Sequence, residues 1–124
     1  MLPRSARLKR NRDFKAVYAQ RRSFSCATLV LYVRFRSGRA PVGVVPCSRI
    51  GFVISKKVAK RAHDRNRLKR RLREICRHRV LPRMRRNVVV DMMFAARSTA
   101  VEIDFARLAA DVEQLGRQAG LFAQ

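Results

Sequence analysis

The sequence predicts a single small α/β domain, an α+β two-layer sandwich in which helices pack on a mixed sheet. Its 124 residues suit one hydrophobic core. Its 48% of hydrophobic residues argues against a wholly disordered basic tail. Helical and strand periodicities follow one another in the order α-β-β-(β)-α-β-α, where the bracketed strand is optional. Since no repeat or domain boundary interrupts this order, we expect residues 1–124 to form one domain.

The first elements are an arm, a short helix and a strand. Residues 1–10 are predicted to form a flexible basic arm. A short helix follows, which Asn11 can cap and which ends at residues 21–23. One face of this helix carries Phe14, Val17 and Tyr18. Residues 26–36 then alternate as a strand does. The strand face expected in the core carries Leu29, Leu31, Val33 and Phe35, and the other carries Thr28, Val30, Tyr32, Arg34 and Arg36.

The middle of the chain contains a loop, a strand and a long basic helix. Residues 37–48 hold two Gly and two Pro, which favours a loop, although residues 42–45 could add a short strand. Residues 49–55 are a predicted strand, and residues 58–79 a helix that Pro82 stops. The apolar stripe of this helix consists of Leu68, Leu72, Ile75 and Cys76. Because Arg61 and Arg65 occupy the same sector earlier in the helix, we expect its first half to overhang the core.

The last elements are an apolar strand and an amphipathic helix. Residues 87–96 suit a strand in the middle of the sheet, with Met92 and Met93 as core filling. Residues 97–102 form a turn, and Asp104 caps the final helix. The apolar face of that helix consists of Phe105, Leu108, Ala109, Val112 and Leu115.

Charge limits the partners that this chain can have. Thirty Lys and Arg against eight Asp and Glu give a net charge of +22, which calls for a polyanionic partner. Twenty-four of the thirty are arginines, whose planar guanidinium suits phosphate groups. The basic excess lies in the first hundred residues, where we place a nucleic-acid contact. An acidic membrane surface would also suit the charge, but no segment is apolar enough to span a bilayer.

The basic helix is the strongest candidate binding element. Asn66, Arg70, Arg73 and Arg77 recur at intervals of four, three and four, so they share one helix face. Such a face meets phosphates, and its binding should fall steeply with salt. Asn66 adds a neutral group that can contact a sugar hydroxyl or a base edge. A solvated charged face is the alternative, but almost no acidic residues balance this one.

Aromatic residues indicate a second candidate surface. Tyr32 is predicted on the strand face away from the core, between arginines, where aromatic rings can stack on single-stranded bases. Phe14 and Tyr18 share a helical stripe. For Phe14, docking of the helix on the sheet explains the residue as well as RNA contact does.

The sequence offers no protein active site. Asp13, Asp64 and Asp91 lie on different predicted elements, and His63 and His78 are too far apart to act together. We therefore predict no catalytic residue, no bound metal and no cleavage of RNA by the protein alone. Three widely spaced cysteines form no disulfide framework, which fits a reducing cytoplasm. The basic N-terminus lacks the apolar stretch of a secretory signal, although it could mimic an organelle transit peptide.

Two motifs give the chain a family resemblance. Ser55-Lys56-Lys57-Val58, followed by the segment from Arg65 to Arg70, resembles the signature of the bacterial ribonuclease P protein family. Further matches are Asp13-Phe14 with Val17-Tyr18, Leu31-Tyr32, and a late strand ending in Ala96-Arg97. The matches run in order from about residue 8 to residue 115. The loop of residues 37–48 is longer than this family usually needs.

The resemblance implies a fold, partners and site residues. The basic helix would connect two parallel strands by a left-handed crossover, although about 98% of such connections are right-handed. The catalytic RNA subunit would act with Mg²⁺ in removing the 5′ leader of precursor tRNA, and one protein would join one RNA in the cytoplasm. Residues implied to contact the catalytic RNA are Lys56, Lys57, Arg61, Arg65, Asn66, Arg67, Lys69, Arg70 and Arg73. Residues implied to line a leader cleft are Phe14, Tyr18, Tyr32, Arg34 and Arg97.

Three other functions suit parts of the pattern. A structural ribosomal protein would share the size, charge and basic arm. An autonomous nuclease would need clustered carboxylates, and an architectural DNA-binding protein would have no use for exposed aromatic rings. The spacing of the two motifs favours ribonuclease P over all three.

Overall fold

The computed structural model describes residues 6–20, 22–35, 48–84 and 89–122. The helices are α1 (Asn11–Ala19), α2 (Ala62–Ile75) and α3 (Phe105–Gln118). The strands are β1 (Ser23–Ser25), β2 (Leu29–Phe35), β3 (Arg49–Val53) and β4 (Val90–Ala96). A π-helical turn (Cys76–Val80) and a 3₁₀ turn (Leu81–Arg83) continue α2, and another 3₁₀ turn (Ser98–Ala100) precedes α3. None of the helices in these ranges is long and apolar enough to cross a membrane.

The four strands that these residues form make one mixed sheet in the order β1-β2-β4-β3. β2 is antiparallel to β1 and to β4, whereas β3 and β4 are parallel. The predicted mixed α/β fold and the central place of the apolar strand β4 are therefore confirmed. α2 connects the parallel neighbours β3 and β4, and the left-handedness of that crossover stays a prediction. β1 was not predicted, and the optional strand at residues 42–45 lies outside the described residues.

The main core lies between one face of the sheet and the helices α2 and α3. Alternation along β2 directs Leu29, Leu31 and Val33 to this face, as predicted. Neighbouring strands add Ile50, Met92 and Phe94. The helices cover them with Leu68, Leu72, Ile75, Leu108, Val112 and Leu115.

The opposite face of the sheet is covered by α1. Val17 is fully buried there and packs with Leu8 and Met93, and the rings of Phe14 and Tyr32 rest against this cluster. Gly51 of β3 makes room for Phe14, since a Cβ atom at this position would lie 2.4 Å from the ring. Helices therefore lie on both faces of the sheet.

Part of the predicted basic arm is packed. Ala6 and Leu8 are buried, and the Leu8 N–H donates to the Ile50 carbonyl over 2.9 Å. Arg7 and Ile50 form a parallel bridge at the edge of β3. Residues 6–8 therefore pack on the sheet through these two apolar side chains, Lys9 and Arg10 are exposed, and the flexibility of the rest of the arm stays a prediction. Residues 1–5 lie outside the described residues.

Several predicted boundaries also need correction. Arg10, not Asn11, is the N-cap of α1, and no side-chain hydrogen bond caps the helix. Ser23 belongs to β1 and does not end α1. α2 begins at Ala62 and not at residue 58, because the N–H groups of Val58 and Ala59 bond the Ser55 carbonyl in a turn.

Two aromatic residues predicted in the core are exposed. Phe35 ends β2 with 38% of its surface exposed, and the Arg22 guanidinium lies 5.1 Å from its ring centroid. Phe105 is 42% exposed because it occupies the first turn of α3, ahead of the buried Leu108. The predicted Asp104 cap is confirmed, since its carboxylate accepts the Arg107 N–H over 2.7 Å.

Candidate nucleic-acid interface

α2 presents its cations because its apolar stripe faces the core. Leu68, Leu72 and Ile75 are buried, so the opposite side of the helix faces solvent. The exposed members of the predicted set are Lys56, Lys57, Arg61, Asn66, Arg67 and Arg70. The half-buried members are Arg65, Lys69 and Arg73.

Arg65 has a structural partner that the sequence did not reveal. Its guanidinium donates to the carbonyls of Ala59 and Lys60 over 2.8 and 2.9 Å. These bonds tie the turn after β3 to the start of α2. Since a guanidinium has five N–H donors, the remaining donors of Arg65 can still meet a phosphate.

A groove of about 440 Å³ runs along the exposed side of α2. Its described lining consists of His63, Asn66, Lys69, Arg70 and Arg73, and includes no carboxylate. The sequence placed four of these five residues in the same candidate site. A groove with this lining suits the phosphate groups of a nucleic acid, which cations and amide groups bind.

The three predicted aromatic residues meet on the α1 side of the sheet. The rings of Tyr18 and Tyr32 lie 5.3 Å apart between centroids, with their planes at 43°. Tyr18 is 60% exposed and lines a shallow apolar depression with Phe14, Lys15, Ala19 and Met93. Because the two tyrosine rings already contact each other, a nucleotide base would stack on their outer surfaces and not between them.

The two arginines predicted for this cleft lie at opposite ends of it. Arg34 follows Tyr32 by two residues on the same strand face and is the Cα partner of Asp91. Arg97 follows the end of β4, where its N–H donates to the Thr28 carbonyl over 2.8 Å. Strand spacing puts Arg97 about 13 Å along the sheet from Met93. The structure therefore places cations on both sides of the tyrosine pair.

A second groove joins the two predicted surfaces. It has a volume of about 370 Å³ at the edge of β3, where Phe14 approaches Lys69 and Arg73 of α2. Arg7, Leu8 and Lys9 form another wall, with Ile50 and Phe52. We missed Arg7 and Lys9 because the arm was predicted to be flexible; the Leu8 side chain between them was the available signal.

An ion-pair network beneath α1 was also missed. Arg49 donates through Nε and Nη2 to the two carboxylate oxygens of Asp91, each over 2.9 Å, and through Nη1 to Asp13 over 3.2 Å. The Asp91 side chain is fully buried, and its hydrogen bond raises the pKa of Arg49. An aspartate in an apolar strand signals a buried partner. The sequence does not say which of thirty cations that partner is.

The remaining candidate metal ligands that the structure describes form pairs and not a larger cluster. Among the described residues, no group of three or more His, Cys, Asp and Glu could hold a metal ion. His78 lies 3.2 Å from Glu74, and His63 lies 3.7 Å from Asp64. Burial raises the pKa of the Cys76 thiol, which keeps it protonated and unreactive.

Comparisons with known proteins agree with one another. A family model described as Ribonuclease P matches residues 2–120. A ribonuclease P protein component from Cyanothece sp. is 40% identical, over 93% of this chain and 92% of the relative. The solved RNase P protein of Thermotoga maritima superposes with a TM-score of 0.72 at 26% identity, over 90% of this chain and 96% of that one. The RNase P protein of Staphylococcus aureus shares the fold, with a TM-score of 0.77 at 24% identity over 95% and 98% of the two chains.

Proposed function

Because this chain belongs to the ribonuclease P protein family, we propose that α2 binds the catalytic RNA while the α1 side of the sheet holds the 5′ leader of precursor tRNA. Relatives are protein components of ribonuclease P, an endoribonuclease that acts in tRNA 5′ processing. The observation that carries the proposal is the groove at the β3 edge. There Phe14 of the aromatic surface and Lys69 of the basic surface line one depression.

The basic surface would act through phosphate contacts. The groove of His63, Asn66, Lys69, Arg70 and Arg73 is open to solvent and is lined by several donors. Each phosphate that it neutralises would release condensed counterions, so binding would weaken as salt rises. This surface would hold the protein in a fixed orientation on the catalytic RNA.

The aromatic surface would act through stacking. Tyr18 exposes most of its ring, and each base stacked on an aromatic side chain contributes about 1–3 kcal/mol without strong sequence preference. Arg34 and Arg97 at the two ends would meet leader phosphates. Precursor tRNA would then bind more tightly than mature tRNA, because only the precursor carries a leader.

The protein would assist the chemistry without performing it. The catalytic RNA with its Mg²⁺ would cleave the phosphodiester bond, and the protein would screen repulsion between two polyanions. We place one protein on one catalytic RNA, as a single RNA-binding domain, in the cytoplasm. The carboxylates Asp13 and Asp91 are engaged with Arg49, which suits a structural role better than a catalytic one.

The test is single-turnover cleavage of a 5′-labelled precursor tRNA at low Mg²⁺, with the matching catalytic RNA and with or without this protein. We expect strong stimulation by the protein and no cleavage by the protein alone. A precursor whose leader is shortened to one nucleotide should lose most of the gain in affinity. Absence of stimulation would instead favour a ribosomal-type RNA-binding protein, and cleavage by the protein alone would contradict the proposal.

A further inference from the structure

We propose that the Asp13–Arg49–Asp91 network is a positioning element, which fixes α1 on the sheet and so places the aromatic rings that receive the leader. The inference rests on the proposed function of that surface. It assigns to Asp13 and Arg49 an indirect role, since both act through Phe14, Tyr18 and Tyr32 and need not touch RNA.

α1 depends on few contacts for its position. It has nine residues, and an isolated helix of that length is unstable in water. No side-chain hydrogen bond caps it, and Val17 is its buried residue. Besides the packed Phe14 ring, its first turn contacts the sheet through the Asp13 carboxylate.

Arg49 anchors this carboxylate in a fixed orientation. Two of its nitrogen atoms bond the buried carboxylate of Asp91 in the central strand, each over 2.9 Å. The guanidinium is planar, so this pair aims the third nitrogen, Nη1, at Asp13 in the first turn of α1. The Asp13 side chain is only 14% exposed, which shields the ion pair from water.

The anchor controls the aromatic rings through the helix that it holds. Phe14 follows Asp13 directly and sits against Gly51, where a Cβ atom would collide with its ring. Tyr18 is one turn further and contacts Tyr32 at 5.3 Å. Because side chains project radially from a helix, a rotation of α1 about its axis would change the distance between the Tyr18 and Tyr32 rings.

Asp13→Asn tests this inference because positioning and direct electrostatics predict opposite changes in the affinity for precursor tRNA. The substitution raises the net charge of +22 by one unit, so direct electrostatics predicts equal or tighter RNA binding. Loss of positioning predicts weaker binding of precursor tRNA by about tenfold, the equivalent of one lost stacked base. Affinity for mature tRNA should not fall. Glu102→Gln makes the same charge change at an exposed site and should leave the preference for precursor unchanged.

A double variant separates positioning from a general loss of structure. Asp13→Asn should add little further loss in a Tyr32→Ala background, because both changes act on one cluster. Arg49→Lys keeps the charge but loses the two-pronged bond, and it should reproduce the selective loss. Equal losses for precursor and mature tRNA, or tighter precursor binding by Asp13→Asn, would overturn the inference. If Tyr32→Ala alone left the preference intact, the leader surface itself would be misassigned.

Discussion

The two faces of the sheet are built differently. The face under α2 and α3 is covered by a large cluster of buried apolar side chains. On the described part of the other face, the cluster comprises Leu8, Val17 and Met93, with Phe14 and Tyr32 only partly buried. The first face carries the stability of the domain, and the second leaves its aromatic rings available to a ligand. The protein thus separates the residues that fold it from those that we propose grip the leader.

The two proposed RNA surfaces differ in the same way, because each is supported by one of these two faces. The cations of α2 stand on a helix whose own buried stripe fixes it to the main core. The aromatic surface stands on a nine-residue helix that is held by the buried Val17, by the Phe14 ring against Gly51 and by an ion-pair network. Substitutions near α1 should therefore reduce RNA binding more than they reduce stability. Substitutions under α2 should reduce stability more than RNA binding.

The largest contrast is expected between Leu72→Ala and Val17→Ala. Both side chains are fully buried. Leu72→Ala leaves a cavity in the main core and should lower the free energy of unfolding by about 2–5 kcal/mol. Val17→Ala removes two methyl groups from the smaller cluster and should cost about 1–2 kcal/mol. Urea unfolding of the two variants measures both values, and equal losses would mean that the faces contribute equally.

Periodicity predicted most of the fold, for a physical reason. Alternation in β2 and helical spacing in α3 are local patterns that burial on one side requires, and Leu31 and Leu108 lie where they predict. Local patterns predict the ends of helices and strands less well. Phe35 has the right spacing for the core but lies beyond its edge. The turn before α2 depends on the Ser55 carbonyl, which periodicity does not register.

The candidate site was predictable in part. Charge density and spacing placed Asn66, Lys69 and Arg70 together, since all three belong to one helix. The groove at the β3 edge was not predictable, because Arg7 and Phe52 meet there only after the chain folds. The ion-pair network was not predictable for the same reason, because the pairing of Arg49 with Asp91 depends on the register of the parallel strands.

Tyr32→Ala sharpens the comparison on the binding side. It should weaken the binding of precursor tRNA by about 1–3 kcal/mol, the contribution of one stacked base, and leave the binding of mature tRNA unchanged. Phe35→Ala is the matched control, because it removes an exposed ring from the opposite face of the same strand. Equilibrium binding of both tRNAs to the holoenzyme measures the effect. Equal losses for the two tRNAs would contradict the leader assignment.

Gly51→Ala should produce a smaller change at the same surface. The added methyl group would overlap the Phe14 ring, which is half-buried and can move outward. We expect a stability loss of about 1 kcal/mol, at the low end for overpacking, with a selective loss of precursor affinity. Thermal unfolding and the same binding assay test both parts. Unchanged affinity for the precursor would show that the position of Phe14 against β3 does not matter for the leader.

Arg70→Ala should have the smallest effect of these substitutions, and the salt dependence of binding to the catalytic RNA measures it. Arg70 is exposed on α2, so its loss should leave stability nearly unchanged while binding to the catalytic RNA weakens. If Arg70 neutralises one phosphate, the slope of log K against log salt should become shallower by about 0.7–0.9. Arg117→Ala removes one exposed arginine from α3, outside the proposed surface, and should leave the slope unchanged. Equal changes for the two variants would mean that total charge, and not the face of α2, sets the affinity.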